Sequence, residues 1–246
     1  MIKDIIVFYR NPYLCFDIGK TETLRKKVAL FRNLFILCLT SAFIIVMIIM
    51  LFETVLKSVF DISIVKNLVD NKEKFRVTND RWDAFLKISV LGPFEEEFLF
   101  RLILVTKSPF LRFVVLLGWI EHFAPQLLQL RFFSMWYNAI SLIILLAIIT
   151  SEKISKQEFS TVFKKDSYNY LCWGLTLAFA LGHISNFAPV NWSFFYLYPI
   201  YVLPQFLYGI VFSFLAIRYN SILWPFLLHA AINSTAQIHR FLTDIF

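Results

Sequence analysis

Gly92-Pro93-Phe94-Glu95-Glu96-Glu97-Phe98-Leu99-Phe100-Arg101 places three carboxylates and a guanidinium inside an otherwise apolar run from about Ala84 to Val105. A run of about 20 apolar residues is long enough to cross a bilayer. A charge at the centre of a spanning helix costs roughly 2.5 to 3.5 kcal/mol on insertion scales. Four such groups in little more than two turns therefore demand partners, a water-filled cavity, or a function that uses them.

The rest of the chain fits a membrane setting. Of its 246 residues 59% are hydrophobic, 29 are Phe, and the mean hydropathy is +0.67, well outside the soluble globular range. The net charge of +7 lies mostly between the apolar runs, as the positive-inside rule expects, and no basic groove or soluble domain supports a nucleic-acid partner. Cys15, Cys38 and Cys172 are scattered with no C-x-x-C pair, which argues against a disulfide framework or a zinc knuckle.

Residues 1 to 33 carry Lys3, Arg10, Lys20, Arg25, Lys26, Lys27 and Arg32 against three acids, which predicts a cytoplasmic N-terminus. The first apolar run, Leu34 to about Phe52, lacks a cleavage site and reads as a retained span. Glu53 to Asp83 is a mixed, charged loop, helical in part at the interface. Further spans are expected at Ala84–Val105, from Phe110 to about Leu130, from about Phe133 to Thr150, from about Tyr168 to Phe187, from about Phe194 to Ile217, and from Ile222 to about Phe241. Pro199 and Pro204 predict a kink in the sixth. The fold class is thus all-α, a polytopic transmembrane bundle of about seven spans (six to eight), with residues 1–83 forming the N-terminus, first span and loop, and residues 84–246 the polar-cored domain. No internal repeat supports a repeat-built transporter.

Three polar pairs sit at helical spacing within these spans. Glu97 and Arg101 are four apart, in the favourable order for an ion pair, while Glu96 is turned by about 100° from Glu97 and stays free to handle a proton. Phe179 and His183 share a face, as do His229 and Asn233. At about 1.5 Å per residue, Glu96, His183 and His229 all fall near the membrane middle. Taken singly, an intramembrane histidine is more often a packing residue, and Asn233 alone would be helix-packing glue. Glu121-His122 and His239 read as outer or interfacial residues, and Glu95 has no assigned use.

In this order the Glu-Glu-x-x-x-Arg of Glu96, Glu97 and Arg101, the Phe-x-x-x-His of Phe179 and His183, and the His-x-x-x-Asn of His229 and Asn233 resemble the CPBP family of intramembrane proteases. That family takes in type II CAAX prenyl endopeptidases and bacteriocin-processing (Abi) proteins. Pro93 before the acids, and Asn220-Ser221-Ile222-Leu223-Trp224-Pro225 leading into His229, extend the similarity, which runs from about Pro93 to Asn233. Glu95 is the departure, and Arg101 sets the register because only Glu96 and Glu97 stand five and four residues before it.

The resemblance implies an endopeptidase acting on a membrane-associated peptide or protein, in a multi-pass protein of a bacterial plasma membrane. It implies that Glu96 and His183 activate a water, that His229 and Asn233 stabilise the oxyanion, and that Glu97, Arg101 and Phe179 support them. Two histidines and a glutamate, His183, His229 and Glu96, are also a zinc ligand set in type, while a metal-free water suits the same residues; both stay open. An immunity or binding protein of the same fold is the main alternative, and a transporter using the acids as an ion path is another. Every version of the protease reading requires His183, His229 and Asn233 to converge on Glu96.

Overall fold

The computed structural model describes residues 2–106, 108–127 and 165–243, and every regular element among them is helical. A short amphipathic helix, α1 (Ile2–Arg10), precedes the 37-residue α2 (Leu24–Phe60). At about 1.5 Å per residue α2 is roughly 55 Å long, more than a bilayer core requires. Its outward residues Phe43, Ile44, Met47 and Leu51 are exposed and apolar, the pattern expected where the surrounding solvent is lipid. Among the described residues α2 is the helix long and apolar enough to cross a membrane, and a second candidate is the bent pair Trp192–Tyr201 and Leu203–Tyr219. The expected fourth span, 133–150, lies outside the described residues.

The stretch expected as a loop from Glu53 to Asp83 is mostly helix. α2 continues to Phe60 and stops where Asp61 turns left-handed at φ 52°, and α3 (Val65–Thr78) follows. α3 is polar overall, so side-chain anchoring adds to the limited apolar packing of Val65 and Leu68. Its start is tied down by the buried Glu53, which accepts from Ser63 Oγ at 2.6 Å, from the Val65 amide at 3.1 Å, and from the Tyr201 hydroxyl.

The motif helix begins earlier than its apolar run. Asp80 caps α4 (Arg81–Leu86) by accepting from the Trp82 amide at 3.0 Å, a π turn spans Lys87–Leu91, and α5 (Gly92–Val105) completes the run. α6 (Pro109–Leu127) packs on α5, with Trp119 Nε1 donating to the Leu99 carbonyl at 2.7 Å. α7 (Lys165–Gly182) ends in a 3-10 turn, His183–Phe187. A second 3-10 turn, Trp192–Leu197, leads into α8 (Tyr198–Tyr201) and α9 (Leu203–Tyr219), with a 47° bend at the break. The proline pair predicts that bend. Asn220, left-handed at φ 48°, turns the chain into α10 (Leu223–Thr243).

The core lies where α5, α7, α9 and α10 meet, around Leu99, Phe100, Phe179, Phe212 and Leu228. The N-terminal arm closes the end of the bundle at the α9–α10 turn. The Asp17 and Gly19 amides donate to the Ile217 and Arg218 carbonyls, each at 2.9 Å, and Arg218 pairs with Glu22 at 2.5 Å.

Candidate active site

The π turn before α5 leaves one carbonyl without its amide. In an i→i−5 register the carbonyl of Ile88 should receive the amide of residue 93, but Pro93 has no N–H to give. The carbonyl is left open, and Asn233 Nδ2 donates to it at 2.9 Å. One hydrogen of the Asn233 amide thus seats α10 on the motif helix. The second remains for the cavity.

Inside the bundle Glu97 and Arg101 are fully buried, with Arg101 Nε 3.5 Å from Glu97 Oε2. Arg101 also donates through Nη2 to the Gly209 carbonyl at 3.4 Å and lies over the Phe179 ring, 4.1 Å from its centroid. α7 and α9 approach closely here because Gly209 lacks a side chain. A Cβ at that position would meet Phe179 Cδ1 and Thr176 Cγ2 at 3.2 Å.

Each histidine is anchored through Nδ1. His183 Nδ1 lies 2.8 Å from the Phe179 carbonyl, which can only accept, and the Phe179 ring meets the imidazole edge to face, at 4.8 Å between centroids. His229 Nδ1 lies 3.0 Å from Glu97 Oε1, with its ring stacked on Phe212 at 4.7 Å. An acceptor at Nδ1 places the proton there, so a neutral ring presents a lone pair at Nε2. Both Nε2 atoms face the same atom, Glu96 Oε2, each at 3.8 Å. That oxygen is buried and has no hydrogen-bond partner.

With both rings neutral, three acceptors are turned on one point and repel unless a proton donor or a cation stands between them, or a second proton on His229 turns its Nε2 into a donor. The space for a donor is present, since Glu96, His183, His229 and Asn233 line one cavity of about 1170 Å³. His183 and His229 converge on Glu96 as expected, while Asn233 lines the same cavity with its amide turned to the Ile88 carbonyl. Glu95 is exposed on the outside of α5, and the side chains of Glu121, His122 and His239 lie outside the described ones. What the spacing did not reveal is the second use of Glu97. It bridges Arg101 and His229, a link between two helices that an i, i+4 pattern within one helix cannot signal.

The zinc set read from the sequence fits less well. Ligand distances near 2.0–2.1 Å put the edges of a tetrahedral zinc site at about 3.4 Å, below the 3.8 Å separations here. Among the described residues no group of three His, Cys, Asp or Glu side chains is arranged to hold a metal ion. The 3.8 Å separations leave room for a water between the three atoms.

A family model described as type II CAAX prenyl endopeptidase Rce1-like matches residues 79–235. Neither a curated protein nor a solved structure gives a significant match. The matched stretch contains Glu96, His183, His229 and Asn233, and it leaves α1, α2 and α3 outside.

Proposed function

The chain belongs to the Rce1-like type II CAAX prenyl endopeptidase family, and from that premise we propose that it hydrolyses a peptide bond of a membrane-associated peptide with a water held between Glu96 and His183. The family is membrane-embedded and implies protease activity. The observation that carries the proposal is the convergence of two histidine Nε2 atoms on the unpartnered Glu96 Oε2.

A water at that point donates one hydrogen to Glu96 and the other to His183 Nε2, both of which are oriented to accept. As its oxygen attacks the scissile carbonyl, Glu96 takes a proton and the carbonyl becomes an oxyanion. His229 and the second Asn233 amide hydrogen then face the developing charge. His229 donates through Nε2 only in its doubly protonated form, with Nδ1–H on Glu97. Collapse of the tetrahedral intermediate breaks the C–N bond, and the proton held by Glu96 passes to the leaving amine.

The test uses a fluorogenic farnesylated peptide ending in a CAAX sequence, presented to purified protein in nanodiscs. Replacing the base in Glu96→Gln lowers kcat by about 10²- to 10⁴-fold. His229→Ala, which removes an oxyanion donor, lowers it by about 10²- to 10³-fold. Unchanged product formation in both variants would overturn the mechanism, and binding of the peptide without cleavage by the wild type would leave a binding protein of the same fold.

A further inference from the structure

α3 stands outside the family-matched stretch, yet it forms part of the active-site cavity. Leu68, Asn71, Lys72 and Phe75 line that cavity, at the i, i+3, i+4, i+7 spacing of one helical face. Beside this face runs a second stripe, Asn67 and Asn71, which reaches the segment that follows His183.

Both hydrogens of each amide are used. Asn67 Nδ2 donates to the carbonyls of Phe187 and Pro189 at 3.3 and 3.0 Å. Asn71 Nδ2 donates to those of Asn186 and Ala188 at 3.1 and 2.7 Å. Four successive carbonyls, 186 to 189, are thereby held by two side chains one turn apart.

These carbonyls need such donors. The 3-10 turn His183–Phe187 ends at Ala188, whose amide bonds back to Ser185, and the chain then runs out of helix, where terminal carbonyls lose their intrahelical partners. His183 is the first residue of this turn. Its ring is fixed on the α7 side by the Phe179 carbonyl; on the other side Phe187 packs against Tyr198 and Tyr201, and the clamp holds the carbonyls that this packing leaves open. α3 itself is held at its start by Glu53, which also accepts from Tyr201 of α8. At its far end Asn79 Oδ1 accepts from Lys87 Nζ at 2.9 Å, on the π turn of the motif helix.

We propose that Asn67 and Asn71 of α3 are positioning residues that hold the 183–189 segment, and through it His183, at its working distance from Glu96. The inference deepens the hydrolytic reading and rests on it for the role of His183. Although Asn71 borders the cavity, both hydrogens of each amide are spent on the carbonyls of residues 186 to 189, so the expected effect is on the chemical step through His183 rather than on substrate affinity.

The experiment compares the wild type with Asn67→Ala/Asn71→Ala and with Asn67→Gln/Asn71→Gln in nanodiscs, using the farnesylated peptide and backbone amide exchange. The alanine pair lowers kcat by about 10- to 100-fold, as displacement by a fraction of an ångström to an ångström does, with KM changed less than about twofold. Its amide exchange rises by about tenfold in residues 184–188 and stays at the wild-type rate in α5 and α10. The glutamine pair, which keeps the donors on longer stems, recovers part of both. Wild-type kcat in the alanine pair, or exchange rates that rise equally throughout the protein, would overturn the proposal. Should the wild type cleave no peptide, the hydrolytic reading fails by that result, while exchange in 184–188 still decides whether the clamp exists.

Discussion

The motif helix and the α2–α3 arm each bury a carboxylate, and they satisfy it differently. Glu97 faces ionisable partners, Arg101 at 3.5 Å and His229 at 3.0 Å. Glu53 is completed by neutral donors, a serine hydroxyl, a backbone amide and a tyrosine hydroxyl. In the first region a change of one residue leaves an opposite charge stranded. In the second it leaves only unpaired dipoles. The first arrangement sets the protonation pattern of a reacting group, while the second fixes where a helix starts.

The largest effect is expected at Glu97. Glu97→Gln leaves Arg101 buried and unpaired and costs about 3 to 5 kcal/mol of stability, as broken buried ion pairs do. Adding Arg101→Met removes the stranded charge and restores most of that loss, measured by thermal unfolding in detergent. The double variant nonetheless stays slow by about 10²-fold or more, because a glutamine amide no longer holds the Nδ1–H form of His229. A fully active double variant would reduce Glu97 to a counter-charge and remove the contrast between the regions.

A smaller effect is expected at Glu53. Glu53→Ala leaves three donors without an acceptor and costs about 1 to 3 kcal/mol, read from the same unfolding measurement. Tyr201→Phe, which removes one donor and leaves the carboxylate two others, costs less. A loss at Glu53 as large as that at Glu97 would show that both sites depend on charge alike.

The smallest effect concerns the junction between the regions. The Asp80 carboxyl is held below its ordinary value of 3.8, first by the hydrogen bond from the Trp82 amide. A lowered value means that its stabilising contribution is fully present above the ordinary value and is lost as pH falls through the lowered one. The thermal midpoint of the wild type should exceed that of Asp80→Ala above about pH 4, with the difference shrinking on further acidification. A difference independent of pH would remove the carboxylate from the cap.

Much of the site is legible from spacing. Glu97 and Arg101 pair as their i, i+4 order requires, Phe179 meets His183, and His229 and Asn233 line one cavity with Glu96. Each of these is a relation within one helix, or one between helices whose motifs belong to the same family pattern. The proline pair likewise locates the α8–α9 bend. The Asn67–Asn71 pair has the same i, i+4 spacing, but it lies in a charged stretch that reads as loop. Its partners are backbone carbonyls more than a hundred residues away, and carbonyls carry no sequence signal.

By itself the sequence determined that the chain is helical and membrane-suited, and which residues hold the costly charges, because hydropathy and helical period are local properties of a chain. Only the tertiary structure decided which oxygen of which glutamate faces which imidazole nitrogen. It gave Glu97 to His229 as well as to Arg101, left Glu96 Oε2 open to the cavity, and brought α3 against the turn behind His183. These outcomes depend on the approach of α5, α7 and α10 in space and on a carbonyl that Pro93 leaves free, and no single stretch of sequence contains both partners.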